Sequence, residues 1–301
     1  MKVFITGATG YIGLSVASAY RRAGHEVWGL VRSEEKARRV ARHEIRPVVG
    51  AMQKPDSWRD AAKNCSVLIH AAVDYQADTF AVDRQTVEAL LALGQQGPQP
   101  KTVIYTSGVW VYGNTGGALA DETSPLNPPR LVVRRPAAEQ LVLDAAGVRG
   151  IVIRPGCVYG RQGGLTGMWF AGASKEKSLQ AIGDGSNRWA MVHTDDLADA
   201  YVRAGESRLG REIFNITDRS RWSIRDMLNA VARATGYTGA ITFAPVAEAA
   251  KTMGDFAECL ALDQHVDGRK AVHLLGWQPK HGGFVDAVET YHMSWKAAQE
   301  T

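Results

Sequence analysis

In the first half of the chain, short apolar runs alternate with longer stretches of helical spacing. The runs "KVFI" (2–5), "EVWGLV" (26–31), "IRPVV" (45–49), "SVLIHA" (66–71), "TVIYT" (102–106) and "GIVIR" (150–154) are rich in β-branched residues and too short for helices. They are read as strands. Residues 11–24, 33–43, 79–94 and about 131–146 repeat apolar positions three and four apart and are read as helices, with a shorter helical stretch from Asp56. This alternation predicts parallel βαβ units with right-handed crossovers, and the nearly all-apolar strands predict a sheet covered on both faces.

The rhythm breaks after Pro155. Residues 156–190 are glycine-rich with few helix signals. Residues 189–204 then read as a strand running into a helix, with Asp195 as the expected N-cap. A strand follows at 212–217, then a helix at 223–236 between a serine N-cap and a glycine stop, and tail helices near 268–275 and 284–299. The expected division places 1–156 in one domain, with 189–221 returning to it, and 157–188 with 222–301 mainly in a smaller one that walls a cleft.

Composition narrows the picture only at the margins. The 301 residues are 45% hydrophobic and 22% charged, an ordinary globular balance. A net charge of +4 implies no nucleic-acid partner and suits a partly anionic small ligand. Cys65, Cys157 and Cys259 form no CxxC pair, as expected of reduced cytoplasmic thiols. The eight histidines show no metal-ligand spacing, so no metal site is expected. No apolar run approaches the roughly 20 residues of a membrane span, so a soluble, cytoplasmic protein is expected.

The first strand ends in "TGATGYIG", which places Gly7, Gly10 and Gly13 at GxxGxxG spacing with Thr9, Tyr11 and Ile12 between them. Glycines there allow a tight turn and let the backbone approach a pyrophosphate lying on the helix N-terminus. A dinucleotide site specific for NAD usually has an acid at the end of the second strand, for the ribose 2′-hydroxyl. Here Arg32 and Ser33 stand instead, a pair suited to a 2′-phosphate, so NADP(H) is favoured over NAD(H). The alternative is that Arg32 belongs to a solvated basic face with Lys36, Arg38, Arg39 and Arg42.

"TGATGYIG", "HAA" (70–72), "VYG" (111–113), "RPGCVYG" (154–160) and "VHTDDLADA" (192–200) follow in order. Together they resemble the extended or atypical short-chain dehydrogenase/reductase superfamily in its NAD-dependent epimerase/dehydratase branch. The resemblance implies an α/β Rossmann fold, a doubly wound parallel sheet with a small C-terminal substrate-binding domain. It also implies that Ala71 and Ala72 pass the cofactor at a strand end, beside Thr106, and that Pro155 and Val158 lie near the nicotinamide.

The chain departs from that family at its chemistry. The family's Ser or Thr four residues before the Tyr of "VYG" falls on Gly108, with Thr106 and Ser107 just before it. The family's YxxxK falls on Leu131 and Arg135, and Pro136 suggests that the helix begins near Arg135. Leucine donates no proton, and arginine binds ribose or phosphate oxygens but stays protonated. Ser107, Tyr112, Tyr75 and Arg135 are the candidates left to serve the reaction. The structural alternatives are a strand-end hydroxyl bonded to backbone at Ser107 and, as such tyrosines more often are, a structural role for Tyr112. Tyr159 and His193 read as packed or hydrogen-bonded, and Asp74 as a turn or cap. Trp110, Met168, Trp169 and Phe170 read as a substrate wall or as core. Ala51 stands where the family commonly has an adenine-side Asp; a backbone group or Gln53 in its place, or a looser adenine site, are the alternatives.

Two functional readings stay open: an NADP-dependent oxidoreductase of a small carbonyl or alcohol with a non-standard proton donor, and a dinucleotide-binding protein without ordinary redox chemistry (a cofactor sensor, or an isomerase, lyase or cyclase). Helices 79–94 and 131–146 have apolar faces wide enough for core or for a homodimer partner.

Overall fold

The computed structural model describes residues 1–74 and 78–300. Its centre is a seven-stranded parallel sheet formed by β1 (Lys2–Thr6), β2 (Glu26–Val31), β3 (Arg46–Val49), β4 (Val67–His70), β5 (Thr102–Thr106), and, after the short β6 (Leu119–Ala120), by β7 (Arg149–Pro155) and, further along, Glu212–Ile216. The intervening short strands are β8 (Cys157–Tyr159), β9 (Leu179–Ile182) and β10 (Met191–His193), so Glu212–Ile216 is β11. The sheet order is β11-β7-β5-β4-β1-β2-β3. It reverses direction between β1 and β4, and ligands of open α/β sheets bind in the crevice beyond the strand ends at such a switch point.

Helices α1 (Tyr11–Arg22), α2 (Glu34–Ala41), α3 (Arg59–Ala62), α4 (Thr79–Gly94) and α5 (Arg135–Asp144) belong to the first half. The second half adds α6 (Thr166–Ala171), α7 (Thr194–Glu206), α8 (Ile224–Thr235), α9 (Val246–Met253), α10 (Phe256–Leu260), α11 (Arg269–Leu275) and α12 (Val288–Gln299). The all-apolar strands are explained by cover on both faces. One core layer joins Val3, Ile5 and Ile153 to Val16, Tyr20, Leu197 and Tyr201, and the other joins Phe4, Leu68 and Val103 to Leu90, Leu91 and Val142. The apolar stripes of α4 and α5 are thus largely spent inside the chain. Pro47 is tolerated in β3 because that strand is an edge.

A second core gathers Tyr159, Trp169, Phe170, Trp189, Met227, Phe284 and Trp295. Trp169 stacks on Trp189 at 5.0 Å, so Trp169 and Phe170 are core residues rather than an open wall, while Met168 is exposed. The glycine-rich stretch hides α6, a single π turn at Gly172–Glu176 and β9, which pairs in parallel with β12 (Ile241–Ala244). β6 pairs with β13 (His265–Val266), tying the late chain back to the sheet domain. Among the described residues, no helix is long and apolar enough to cross a membrane.

Candidate active site

The glycine turn is built by close approach. Gly7 has a φ of +73°, and a Cβ there would lie 2.3 Å from the Ala71 carbonyl oxygen. A Cβ on Gly13 would lie 2.1 Å from the Gly7 oxygen. These two glycines press the turn against the end of β4 at Ala71 and Ala72. Gly10 is different: it is exposed, and the nearest atom to its Cβ position, the Gly7 oxygen, is 3.2 Å away. Gly10 caps α1 with no side-chain hydrogen bond, and the first turn holds no acid, so the N–H groups around Tyr11, Ile12 and Gly13 and the positive helix end face no internal anion. A surface free of side chains at a helix N-terminus is what a dinucleotide pyrophosphate requires, and these residues fit one.

The flanking groups are fixed by hydrogen bonds. The Ala71 N–H donates to the Thr6 hydroxyl at 3.2 Å, and Thr6 Oγ1 lies 2.7 Å from His70 Nδ1. His70 Nε2 lies 3.0 Å from Asp83, which also accepts from the Tyr105 hydroxyl. Thr106 donates to the His70 carbonyl at 2.7 Å and meets the Tyr201 hydroxyl at 2.6 Å, so its side chain holds strand ends together. The Tyr11 hydroxyl donates to the Gly160 carbonyl at 2.7 Å and joins α1 to the loop after β8; burial raises its pKa. Thr9 and Ile12 lie partly buried in the same turn, with Val158 buried in β8.

At the end of β2, Arg32 is 61% exposed, with Nη1 3.9 Å from the Asp74 carboxylate. Asp74 also accepts from the Gln53 amide at 2.7 Å. Ser33 caps α2 by accepting the Lys36 N–H. Asp74 beside Arg32 has no counterpart in the sequence pattern, because they lie 42 positions apart.

The segment around Ser107, Gly108 and Arg135 is compact. Arg135 opens α5, with Pro136 in the first turn, and its Nη1 donates to the Ser107 carbonyl at 2.7 Å. A Cβ on Gly108 would stand 2.9 Å from that same nitrogen, with the Pro155 carbonyl 3.9 Å away. The arginine therefore occupies ground that a side chain at position 108 would claim. No other hydrogen bond of the Arg135 guanidinium forms among the described residues, so most of its five donors remain available. Ser107 is buried, its N–H donates to the Ile153 carbonyl, and its Oγ has no partner. Leu131 lies in a separate 3-10 turn, Arg130–Val132, and is exposed; it does not share a helix face with Arg135.

Tyr112 is held elsewhere. Its hydroxyl donates to Asn215 at 2.8 Å and accepts from Arg154 at 2.7 Å, and Arg154 also pairs with Glu139 of α5 through Nε at 2.9 Å. Arg154 and Glu139 are both almost fully buried. Burial pushes the Tyr112 phenol up to about 12, so it is a poor acid and a structural member of this network. Tyr75 lies outside the described residues.

The fold makes one cluster that spacing conceals. His193, Asp195 and His281 bring one potential metal-ligating atom each within 4.8 Å of the others. The two imidazoles stack at 3.7 Å with 19° between planes, which sets their lone pairs side by side rather than convergent. Gly160 covers His193 Nε2, since a Cβ there would lie 2.3 Å away, and Arg161 holds Asp195 at 2.8 Å. His193, not Asp195, is the N-cap of α7: its Nδ1 accepts the Asp195 N–H, leaving Asp195 to face Arg161. Burial, with His281 adding to it, pushes His193 down to about 4.

The chain resembles proteins across its whole length. A ketoreductase of Stigmatella aurantiaca, named for 4-hydroxy-2-methyl-3-oxo-4-farnesyl-3,4-dihydroquinoline-1-oxide, is 27% identical over 92% of this chain and 87% of its own. The UDP-glucose 4-epimerase of Thermotoga maritima superposes with a TM-score of 0.83 at 18% identity, covering 99% of this chain and 100% of its own. Human epimerase family protein SDR39U1, solved with NADPH, superposes at 0.79 with 22% identity, covering 97% and 99% respectively. The model of the NAD dependent epimerase/dehydratase family matches residues 3–217, a span that runs from β1 through β11. With that match and the sheet order, this chain belongs to the NAD dependent epimerase/dehydratase family.

Proposed function

We propose that this protein is an NADPH-dependent reductase of a small organic carbonyl, or the reverse alcohol dehydrogenase, in which Arg135 takes over the work of the missing Tyr–Lys pair. The observation that carries this reading is the contact of Arg135 with the Ser107 carbonyl beside Gly108. A fixed cation there, with unused N–H donors, polarises a carbonyl oxygen and stabilises the negative charge that develops on it. Because guanidinium does not release its proton, water supplies the proton that completes the alcohol. Ser107 Oγ, buried and without a hydrogen-bond partner, is the further hydroxyl that Ser107→Ala tests.

Gly7, Gly10 and Gly13 with Thr9, Tyr11 and Ile12 would hold the pyrophosphate. Ala71, Ala72, Pro155 and Val158 would flank the nicotinamide end, and Arg32 with Ser33 would meet the 2′-phosphate. Bound NADPH would supply the hydride. The similarity to a ketoreductase and to a fold neighbour solved with NADPH supports this choice of chemistry and cofactor.

The test is NADPH consumption over a panel of aldehydes and ketones, with Arg135→Met and Ser107→Ala alongside. Turnover that falls at least about a hundredfold in Arg135→Met supports the assignment, since removing one donor to a developing oxyanion costs about 10² or more in kcat. A second reading draws on one observation: Tyr11, Tyr105, Tyr112, Tyr159 and Tyr201 all have occupied hydroxyls. In that reading the protein binds the dinucleotide without ordinary redox turnover, as a sensor, isomerase, lyase or cyclase. NADPH binding with no turnover on any carbonyl would favour it.

A further inference from the structure

Beyond the end of β11 the loop Asp218–Arg219–Ser220–Arg221–Trp222 separates two adjoining cavities, of about 280 Å³ and 450 Å³. Neither is lined by the glycine turn, Ser107, Gly108 or Arg135. Four arginines line the first: Arg188, Arg219, Arg221 and Arg269. Arg269 is committed to Asp267, and Arg188 has only a 4.0 Å contact with Asp263. Arg219 and Arg221 are exposed and form no ion pair or hydrogen bond through their side chains among the described residues. Among the described residues no acid in the walls pairs with them: Asp218 is taken by Ser220 and Tyr159, Asp267 by Arg269, and Asp286 lines the second cavity together with both arginines but forms no ion pair with either. His265 Nε2, in the wall of the first cavity, is buried and without a hydrogen-bond partner. Trp222, in the wall of the second, is 40% exposed, while Trp189 and Trp277 of the first are buried.

We propose that this double cavity is a second binding site, for a small phosphate ester whose oxyanion lies between Arg219 and Arg221 and whose planar ring rests on Trp222. Guanidinium forks match phosphate oxygens, and an unpaired pair of them across a concave surface favours a dianion over a neutral ligand. The indole offers a flat apolar face for a base-sized ring. The site is separate from the reaction centre, so it would take an effector rather than the substrate.

The test titrates the full-length protein with inorganic pyrophosphate, AMP and adenosine, read by calorimetry and by tryptophan fluorescence, in the wild type and in variants of this pocket that leave the glycine turn intact, so that binding at the turn is common to all of them. The proposal expects pyrophosphate and AMP to bind, adenosine to bind far more weakly, and AMP alone to perturb the fluorescence strongly. It expects Arg219→Glu/Arg221→Glu to weaken both phosphates at least about tenfold, and Trp222→Ala to weaken AMP but not pyrophosphate. Pyrophosphate binding unchanged in the double variant, or absent from the wild type, would overturn the proposal. A failure of NADPH binding would strike the proposed reductase reading alone, since the double variant still reports on this pocket.

Discussion

Gly108 and Arg135 fit each other: the arginine nitrogen that bonds the Ser107 carbonyl stands 2.9 Å from where a Cβ on Gly108 would be. Two departures from the family pattern, 27 positions apart, are therefore one spatial change. The group in the way is the tip of a flexible side chain, so Gly108→Ala is expected to displace the guanidinium rather than unfold the chain. The expected outcome is a stability change of about 1 kcal/mol or less, by denaturant unfolding, together with a clear loss of NADPH turnover.

Leu131→Tyr alone is expected to restore no family-like carbonyl reduction. Leu131 sits in the 3-10 turn before α5, and Arg135 is in the first turn of that helix, so a phenol at 131 does not align with position 135 as residues i and i+4 of one helix do. Robust new activity of the single variant in a steady-state assay would contradict this.

Arg32→Asp is expected to weaken NADPH binding at least about tenfold while changing NADH binding little, because a lost charge-assisted contact to a 2′-phosphate is felt only by the phosphorylated cofactor. Binding calorimetry with both dinucleotides checks it. Equal losses would remove Arg32 from that role.

Glu139→Gln is expected to destabilise the fold by about 3–5 kcal/mol, since it leaves the buried Arg154 guanidinium without its counter-charge. Replacing both partners by apolar residues of similar size is expected to recover much of that loss. Chemical denaturation of the single and double variants gives the comparison.

His193 is neutral in the folded chain down to about pH 4, and an unfolded chain binds that proton near the ordinary imidazole value. Between those values the unfolded state holds more protons, so stability rises with pH there and is lost as pH falls through the window. The titratable and charged groups facing it are His281, Asp195, Asp196 and Arg161. His193→Phe is expected to flatten the stability–pH curve over that interval, measured by thermal unfolding in a series of buffers.

The alternation of apolar runs and helical spacings sufficed for the parallel sheet, and GxxGxxG for the turn at Gly7, Gly10 and Gly13, because both are contiguous signals of side-chain size and backbone freedom. Pro136 likewise marked the start of α5, a local consequence of its missing N–H. The tertiary structure alone decided that Tyr112 is tied to Arg154 and Asn215, that Asp74 faces Arg32, that His193 rather than Asp195 caps α7, and that Arg219 and Arg221 open onto a cavity. Each depends on which distant segments meet and on how their polar atoms share partners, and no residue pattern along one segment encodes that.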